Sequence, residues 1–197
     1  MRQLYPCYLA SASPRRREIL TMLGLDFTVE VSEVSEETFL TDPAQIVTEL
    51  AKRKALAVAD AHANENCIVI GSDTVVYAGG KVLGKPASKE EAKEMLRLLS
   101  GKPHTVFTGL CIVLIENGAM KVEALADAAH VIFEAMSEEE IEWYAGTGEP
   151  MDKAGAYAIQ GLGGRFVKSI EGDFYTIMGL PMHEVYKKLR EMNLLFP

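Results

Sequence analysis

Cys67-Ile-Val-Ile-Gly71 is a continuous apolar run, the signature of a strand covered on both faces rather than wetted on one. Ser72-Asp73-Thr74 interrupts it, and Val75-Val76-Tyr77 resumes. A carboxylate between two core runs needs partners: a hydrogen-bonded turn, a lysine or a metal ion. Gly79-Gly80 then signals a hairpin. The chain returns through Lys81-Val82-Leu83 to Gly84-Lys85-Pro86, which puts Lys85 within reach of Asp73.

The chain begins with a second constraint. Tyr8-Leu9-Ala10 reads as the end of a buried strand, and Ser11-Ala12-Ser13-Pro14-Arg15-Arg16-Arg17 leads into a helix. Ser13 suits an N-cap and Pro14 the first helical position, where the missing N–H costs nothing. Ile19, Leu20 and Leu23 follow on one helical face. Cations at a helix N-terminus work against its dipole, so three arginines there ask for a compensating anion. With Ser11, Ser13, Arg15 and Arg16 around the backbone donors of the first turn, phosphate is the anion expected. A capped helix with a solvated basic first turn is the plainer alternative.

Asp42-Pro43 opens a second helix, to about Ala61. At about 100° per residue, Val47, Leu50, Ala51 and Val58 share one stripe with Lys54 in its middle, while Lys52 and Arg53 point elsewhere. An unpaired ammonium on a buried stripe is costly. Either the Lys54 stem snorkels to water or its head meets an anionic ligand. Before this helix, residues 32–41 form an acidic loop in which Glu33 and Glu37 read as solvated surface.

Farther on, Phe27–Val31, His104–Ile115, Val122–Phe133 and Arg165–Ile170 read as strands, and Gly24 as a helix C-cap. Ser88 and Glu91, and Ser137 and Glu140, form capping boxes, and Gly179-Leu180-Pro181 starts a last helix. Trp143 reads as a packing anchor, and Asp127 and His130 as exposed polar positions. The small residues around Gln160, within Glu149–Gly164, imply close backbone approach to something, either a turn or a bound ring. Gln160 offers a donor and an acceptor, suited to the edge of a nucleobase. Strands and helices interleave with hairpins inserted, so the expected class is α/β with a mixed sheet.

A net charge of −8 argues against a nucleic-acid polymer as partner, because the phosphate backbone demands a broad basic surface. A small phosphorylated ligand needs only a local basic pocket. No run approaches the roughly 18 apolar residues of a membrane span. Cys7, Cys67 and Cys111 lack metal-ligand spacing and read as reduced core residues, and the polar N-terminus does not resemble a signal peptide, so a cytoplasmic location is expected.

Taken together, Ser11–Arg16, Gly71–Thr74, Gly84–Pro86, Ser100-Gly101 with His104, Asp152–Tyr157 with Ile159–Gly161, and Met178–Pro181 resemble the motifs of the Maf family of nucleoside triphosphate pyrophosphatases, in the family's order and across almost the whole chain. The resemblance implies a single domain over 1–197 related to the inosine triphosphate pyrophosphatases: a long, twisted mixed sheet with flanking helices, and two lobes around a central cleft. It implies hydrolysis of a nucleoside triphosphate to the monophosphate and pyrophosphate with a divalent cation, usually Mg²⁺, with Mn²⁺ the alternative. The segment from Asp152 to Gly161 resembles the dTTP/UTP branch rather than the 7-methyl-GTP branch. In that branch the aspartate matching Asp73 is the proton acceptor, and the positions matching Arg15, Thr74 and Gln160 govern substrate choice. Glu36, Lys54 and Lys85 match polar cleft residues, Glu36 and Asp73 being the expected metal ligands. A homodimer and a role in nucleotide house-cleaning or septum formation are family-level expectations. The competing class is a nucleotide-sensing division regulator without turnover.

Overall fold

The apolar run at Cys67 does not stop at Asp73. In the computed structural model, which describes residues 2–196, one strand continues from Cys67 to Ala78 through all three polar residues. The elements in chain order are β1 (Arg2–Gln3), β2 (Cys7–Leu9), α1 (Pro14–Met22), β3 (Phe27–Val29), α2 (Pro43–Ala61), β4 (Cys67–Ala78), β5 (Lys81–Leu83), α3 (Lys89–Leu99), β6 (Pro103–Glu116), β7 (Ala119–Phe133), α4 (Glu138–Gly146), β8 (Val167–Glu171), α5 (Phe174–Met178), α6 (Met182–Glu191) and β9 (Leu195–Phe196). Short 3₁₀ turns occupy Glu149–Asp152, Ala154–Ala156 and Leu162–Phe166. Seven strands form a mixed sheet in the order β3-β2-β4-β6-β7-β8, with β5 paired to β4, and helices flank it. β2 runs parallel to both β3 and β4, whereas β5 on β4 and β8 on β7 are antiparallel. β1 and β9 make a separate antiparallel pair.

The helix ends follow their local chemistry. Gly24, at φ 74°, ends α1 in a Schellman arrangement: its N–H donates to Thr21 O and that of Leu25 to Leu20 O. The Asp42 carboxylate accepts from Gln45 N–H at 2.9 Å. Ser137 and Glu140 complete a reciprocal capping box, whereas the Glu91 carboxylate accepts from Ala87 N–H instead of Ser88 N–H. Ser13 takes the N-cap position of α1 without a side-chain cap; its own N–H donates to Ser11 Oγ at 3.2 Å.

Two compact units share the chain. The first comprises residues up to Asp73, Thr108–Asp127 and the stretch from Gly179 onward; the second comprises Thr74–Phe107 and Ala128–Met178. The chain passes from one to the other inside β4, immediately after Asp73. In the first unit, Ala51, Ala55, Val58 and Ala59 of α2 pack with Cys67, Val69, Cys111 and Val113. Two glycines make that packing close: a Cβ on Gly71 would lie 2.4 Å from Ala51 O, and one on Gly109 would lie 2.0 Å from Val47 O. In the second unit, Leu96, Leu99, Phe133, Tyr144, Tyr157 and Phe166 form the core. The three cysteines are free and buried, as expected, and burial pushes the Cys7 and Cys111 thiols up to about 12. Among the described residues no helix is long and apolar enough to cross a membrane.

Candidate active site

α2 can lie against β4 only because Gly71 has no side chain, and this closeness brings Lys54, one turn beyond Ala51, to Asp73. Lys54 Nζ donates to Asp73 Oδ1 at 2.6 Å. The same ammonium is 2.6 Å from Glu36 Oε1. The Lys54 head thus meets the protein's own carboxylates, a partner that the stripe of α2 did not reveal. Asp73 is buried and Glu36 is exposed, so the pair spans from core to surface. The neighbouring Arg53 sets the loop that carries Glu36, donating from Nη1 to Glu37 O at 2.8 Å and pairing with Glu49 through Nε. Arg53 points away from the apolar stripe, as its helical position predicts, and its place beside an acidic loop was the available signal of this role. Glu33 and Glu37 have exposed side chains.

The first turn of α1 meets the polar stretch of β4 through one carbonyl. Arg16 Nε donates to Gly179 O at 2.8 Å, and the buried Ser72 hydroxyl donates to the same oxygen at 3.0 Å. Gly179 adopts φ 115°, a backbone that L side chains rarely reach. Arg16 Nη1 also donates to Ser11 Oγ at 3.0 Å. Burial pulls the Arg16 guanidinium below its ordinary value, Asp73 and Glu36 push it back up, and Arg15 adds to the lowering. Ser11, Arg15, Arg16, Glu36, Lys54 and Asp73 thus act on one another in one region of the first unit. Arg16 is committed to Gly179 and Ser11 through two of its nitrogens, so it braces the turn as well as charging it.

Thr74, Lys85 and Gln160 belong to the second unit. Thr74 is half-buried in β4, Lys85 is exposed just past β5, and Gln160 is exposed in a turn closed by Gly161 N–H on Ala158 O at 3.2 Å. The small residues around Gln160 make room for the protein's own side chains. The Glu149 carboxylate accepts from Leu162 N–H, Gly163 N–H and Tyr144 Oη at 3.0, 3.0 and 2.8 Å, and Tyr144 Oη accepts from Ala158 N–H at 3.1 Å. Burial raises the Glu149 carboxyl, but these donors and Lys153 outweigh it and hold the group below its ordinary value. Trp143 is not the expected packing anchor: it is 45% exposed, with the Arg165 guanidinium 4.5 Å above its ring. His130 is exposed, bonded to Thr105 Oγ1. His104 is buried against Phe133 and Tyr157, sharing a hydrogen bond with Tyr157 Oη at 2.9 Å.

An arginine-rich helix start beside two carboxylates gathered on one lysine, all carried by a mixed α/β sheet, has the make-up of a protein that handles phosphorylated ligands. The family model described as Maf-like protein matches residues 6–192, and the chain belongs to the Maf family. A dTTP/UTP pyrophosphatase of Aquifex aeolicus is 48% identical over 187 residues, covering 95% of each chain. One of Bacillus mycoides is 46% identical, covering 94% of each. Among solved structures, the nucleoside-triphosphatase / dITP/XTP pyrophosphatase of Mycobacterium abscessus covers 98% of each chain at 11% identity with a TM-score of 0.48, a likeness too distant to bear on the site.

Proposed function

We propose that this chain hydrolyses dTTP and UTP to the monophosphate and pyrophosphate. The observation that carries the reading is Lys54 holding Glu36 and Asp73 together next to the Ser11–Arg16 turn, in a chain 48% identical to a dTTP/UTP pyrophosphatase. Water attacks one phosphorus of the α–β anhydride, the bridging oxygen leaves with the electron pair, and Asp73 takes the proton of the water. In the resting arrangement the Asp73 oxygen is occupied by Lys54. An incoming triphosphate gives that ammonium a competing anion, so binding of substrate releases the base as it neutralises the phosphate. Ser11, Ser13, Arg15, Arg16 and Lys85 supply further hydrogen bonds and positive charge. Thr74, Arg15 and Gln160 govern which nucleotide is accepted.

The donor set fits a divalent cation. Glu36 and Asp73 already direct oxygens at one cationic nitrogen, and Mg²⁺ is commonly held by one or two carboxylates with substrate phosphates and waters completing the shell. Among the described residues no group of three or more His, Cys, Asp or Glu could hold a metal by itself, so Glu36 and Asp73 would share it with the substrate. When bound, Mg²⁺ or Mn²⁺ would supply charge neutralisation and a more acidic water. With a cation held there, Asp73 would be the better base if it were not a direct ligand, since a ligating carboxylate is a poorer proton acceptor. The test is pyrophosphate release with Mg²⁺ across dTTP, UTP, CTP, GTP and 7-methyl-GTP. Preferential turnover of dTTP and UTP is expected; binding without turnover, or a preference for 7-methyl-GTP, overturns the reading.

A further inference from the structure

The second unit holds a carboxylate that the proposed chemistry does not use. Glu149 spends both oxygens on one short turn: Oε1 accepts from Tyr144 Oη and Gly163 N–H, and Oε2 from Leu162 N–H. The buried Tyr144 hydroxyl extends this grip to the other end of the turn, accepting from Ala158 N–H. Gln160 sits between those anchor points with its side chain exposed. The surrounding glycines fit the grip and little else, for a Cβ on Gly161 would lie 2.4 Å from Glu149 Oε2, and one on Gly163 would lie 2.4 Å from Tyr144 Oη. Even half-buried, a carboxylate that gives up water for three neutral donors carries a desolvation cost, and what it gains is a fixed backbone. An exposed Gln has broad torsional freedom, so the direction of its donor and acceptor depends on how firmly the backbone beneath it is held.

We propose that Glu149, backed by Tyr144, is the positioning residue that aims Gln160 at the edge of the nucleobase and thereby sets which triphosphate is accepted. The proposal rests on Gln160 meeting the base. Glu149→Gln turns an amide N–H toward a backbone N–H, breaking one support while nearly preserving volume. The experiment measures kcat and KM for dTTP, UTP, CTP and GTP, together with inhibition by pyrophosphate, for the wild type, Glu149→Gln, Tyr144→Phe, Gln160→Ala and the Glu149→Gln/Gln160→Ala double variant. For Glu149→Gln the preference for dTTP over GTP is expected to fall about tenfold, through KM, with kcat within about twofold and pyrophosphate inhibition unchanged. Tyr144→Phe is expected to act in the same direction by about threefold, and carries the test if Glu149→Gln does not fold. In the Gln160→Ala background Glu149→Gln should cost no further selectivity, because both remove one interaction. An active wild type whose variants keep its selectivity, or whose two substitutions add independently, overturns the positioning role alone. A wild type that hydrolyses no triphosphate overturns both this role and the activity beneath it.

Discussion

Asp73 is buried and Glu149 half-buried, and both carry several neighbours, yet they are held by opposite means. Asp73 faces an ammonium on a flexible stem, 2.6 Å away. Glu149 faces two backbone N–H groups and a phenol that cannot leave without unfolding a turn. The two histidines form a second contrast, between a paired and a desolvated ring. His62, at the end of α2, sits between the carboxylates of Glu30 and Glu65, stacked on Tyr8. The hydrogen bond to Glu30 raises its pKa, burial opposes it, and Glu65 adds to the rise. His104 lies among aromatic rings, and burial pushes it down to about 4 against a smaller opposing effect of the backbone at Lys102. A charge paired with a mobile opposite charge can change partner when a ligand arrives, whereas one pinned by backbone donors cannot. The first arrangement suits chemistry and the second suits aim.

The sharpest way to break this contrast is Asp73→Asn. If Asp73 is the releasable base, kcat falls by about 10³-fold while affinity for a non-hydrolysable dTTP analogue changes little. Stopped-flow pyrophosphate release and calorimetric titration read the two effects separately, and near-normal turnover would remove Asp73 from the chemistry. Next in size is Gly71→Ala. Its Cβ would collide with Ala51 O at 2.4 Å, pushing α2 and Lys54 away from β4. A loss of about 2 kcal/mol in urea denaturation is expected from overpacking. Misplacement of the Lys54–Asp73 pair should also lower kcat by about 10²-fold. A variant that loses stability but keeps kcat would show that the close approach serves packing only.

The histidine contrast is tested by pH, with opposite signs. His104 is depressed in the folded state from 6.5 to about 4, so its unfolded form takes a proton first as pH falls. Stability is intact above pH 6.5 and declines between 6.5 and about 4, by on the order of 3 kcal/mol if the group stays neutral throughout. Urea denaturation of His104→Gln should show that acid-side slope reduced. His62 is raised, so its contribution is complete below about pH 6.5 and is lost as pH climbs through the folded value. His62→Gln is therefore expected to cost under about 1 kcal/mol more at pH 6 than at pH 9, the smallest of these effects.

Much of the frame was legible because its causes are local. The helix starts at Pro14, Pro43 and Glu138 follow from capping residues and prolines within a few positions, and the stripe of α2 follows from helical periodicity. The break expected at Ser72-Asp73-Thr74 was wrong for an equally clear reason: β4 continues because its polar groups find partners 107 and 19 residues away, at Gly179 and Lys54. Trp143 read as core by type, but Arg165 covers its exposed ring. The glycines near Gln160 did signal close approach, and their partners proved to be Glu149 and Tyr144.

By itself, then, the order of residues decided where most helices start and which kinds of side chain stand in the middle of β4 and at the start of α1. Caps, prolines and apolar periodicity act over a turn or two, so they can be read along the chain. Only the tertiary structure decided that Lys54 joins Glu36 to Asp73 and that Glu149 closes the turn under Gln160. The reason is physical: hydrogen bonds and ion pairs are settled by distances of a few tenths of an ångström. Those distances depend on how closely a helix can lie on a sheet at Gly71 and Gly109.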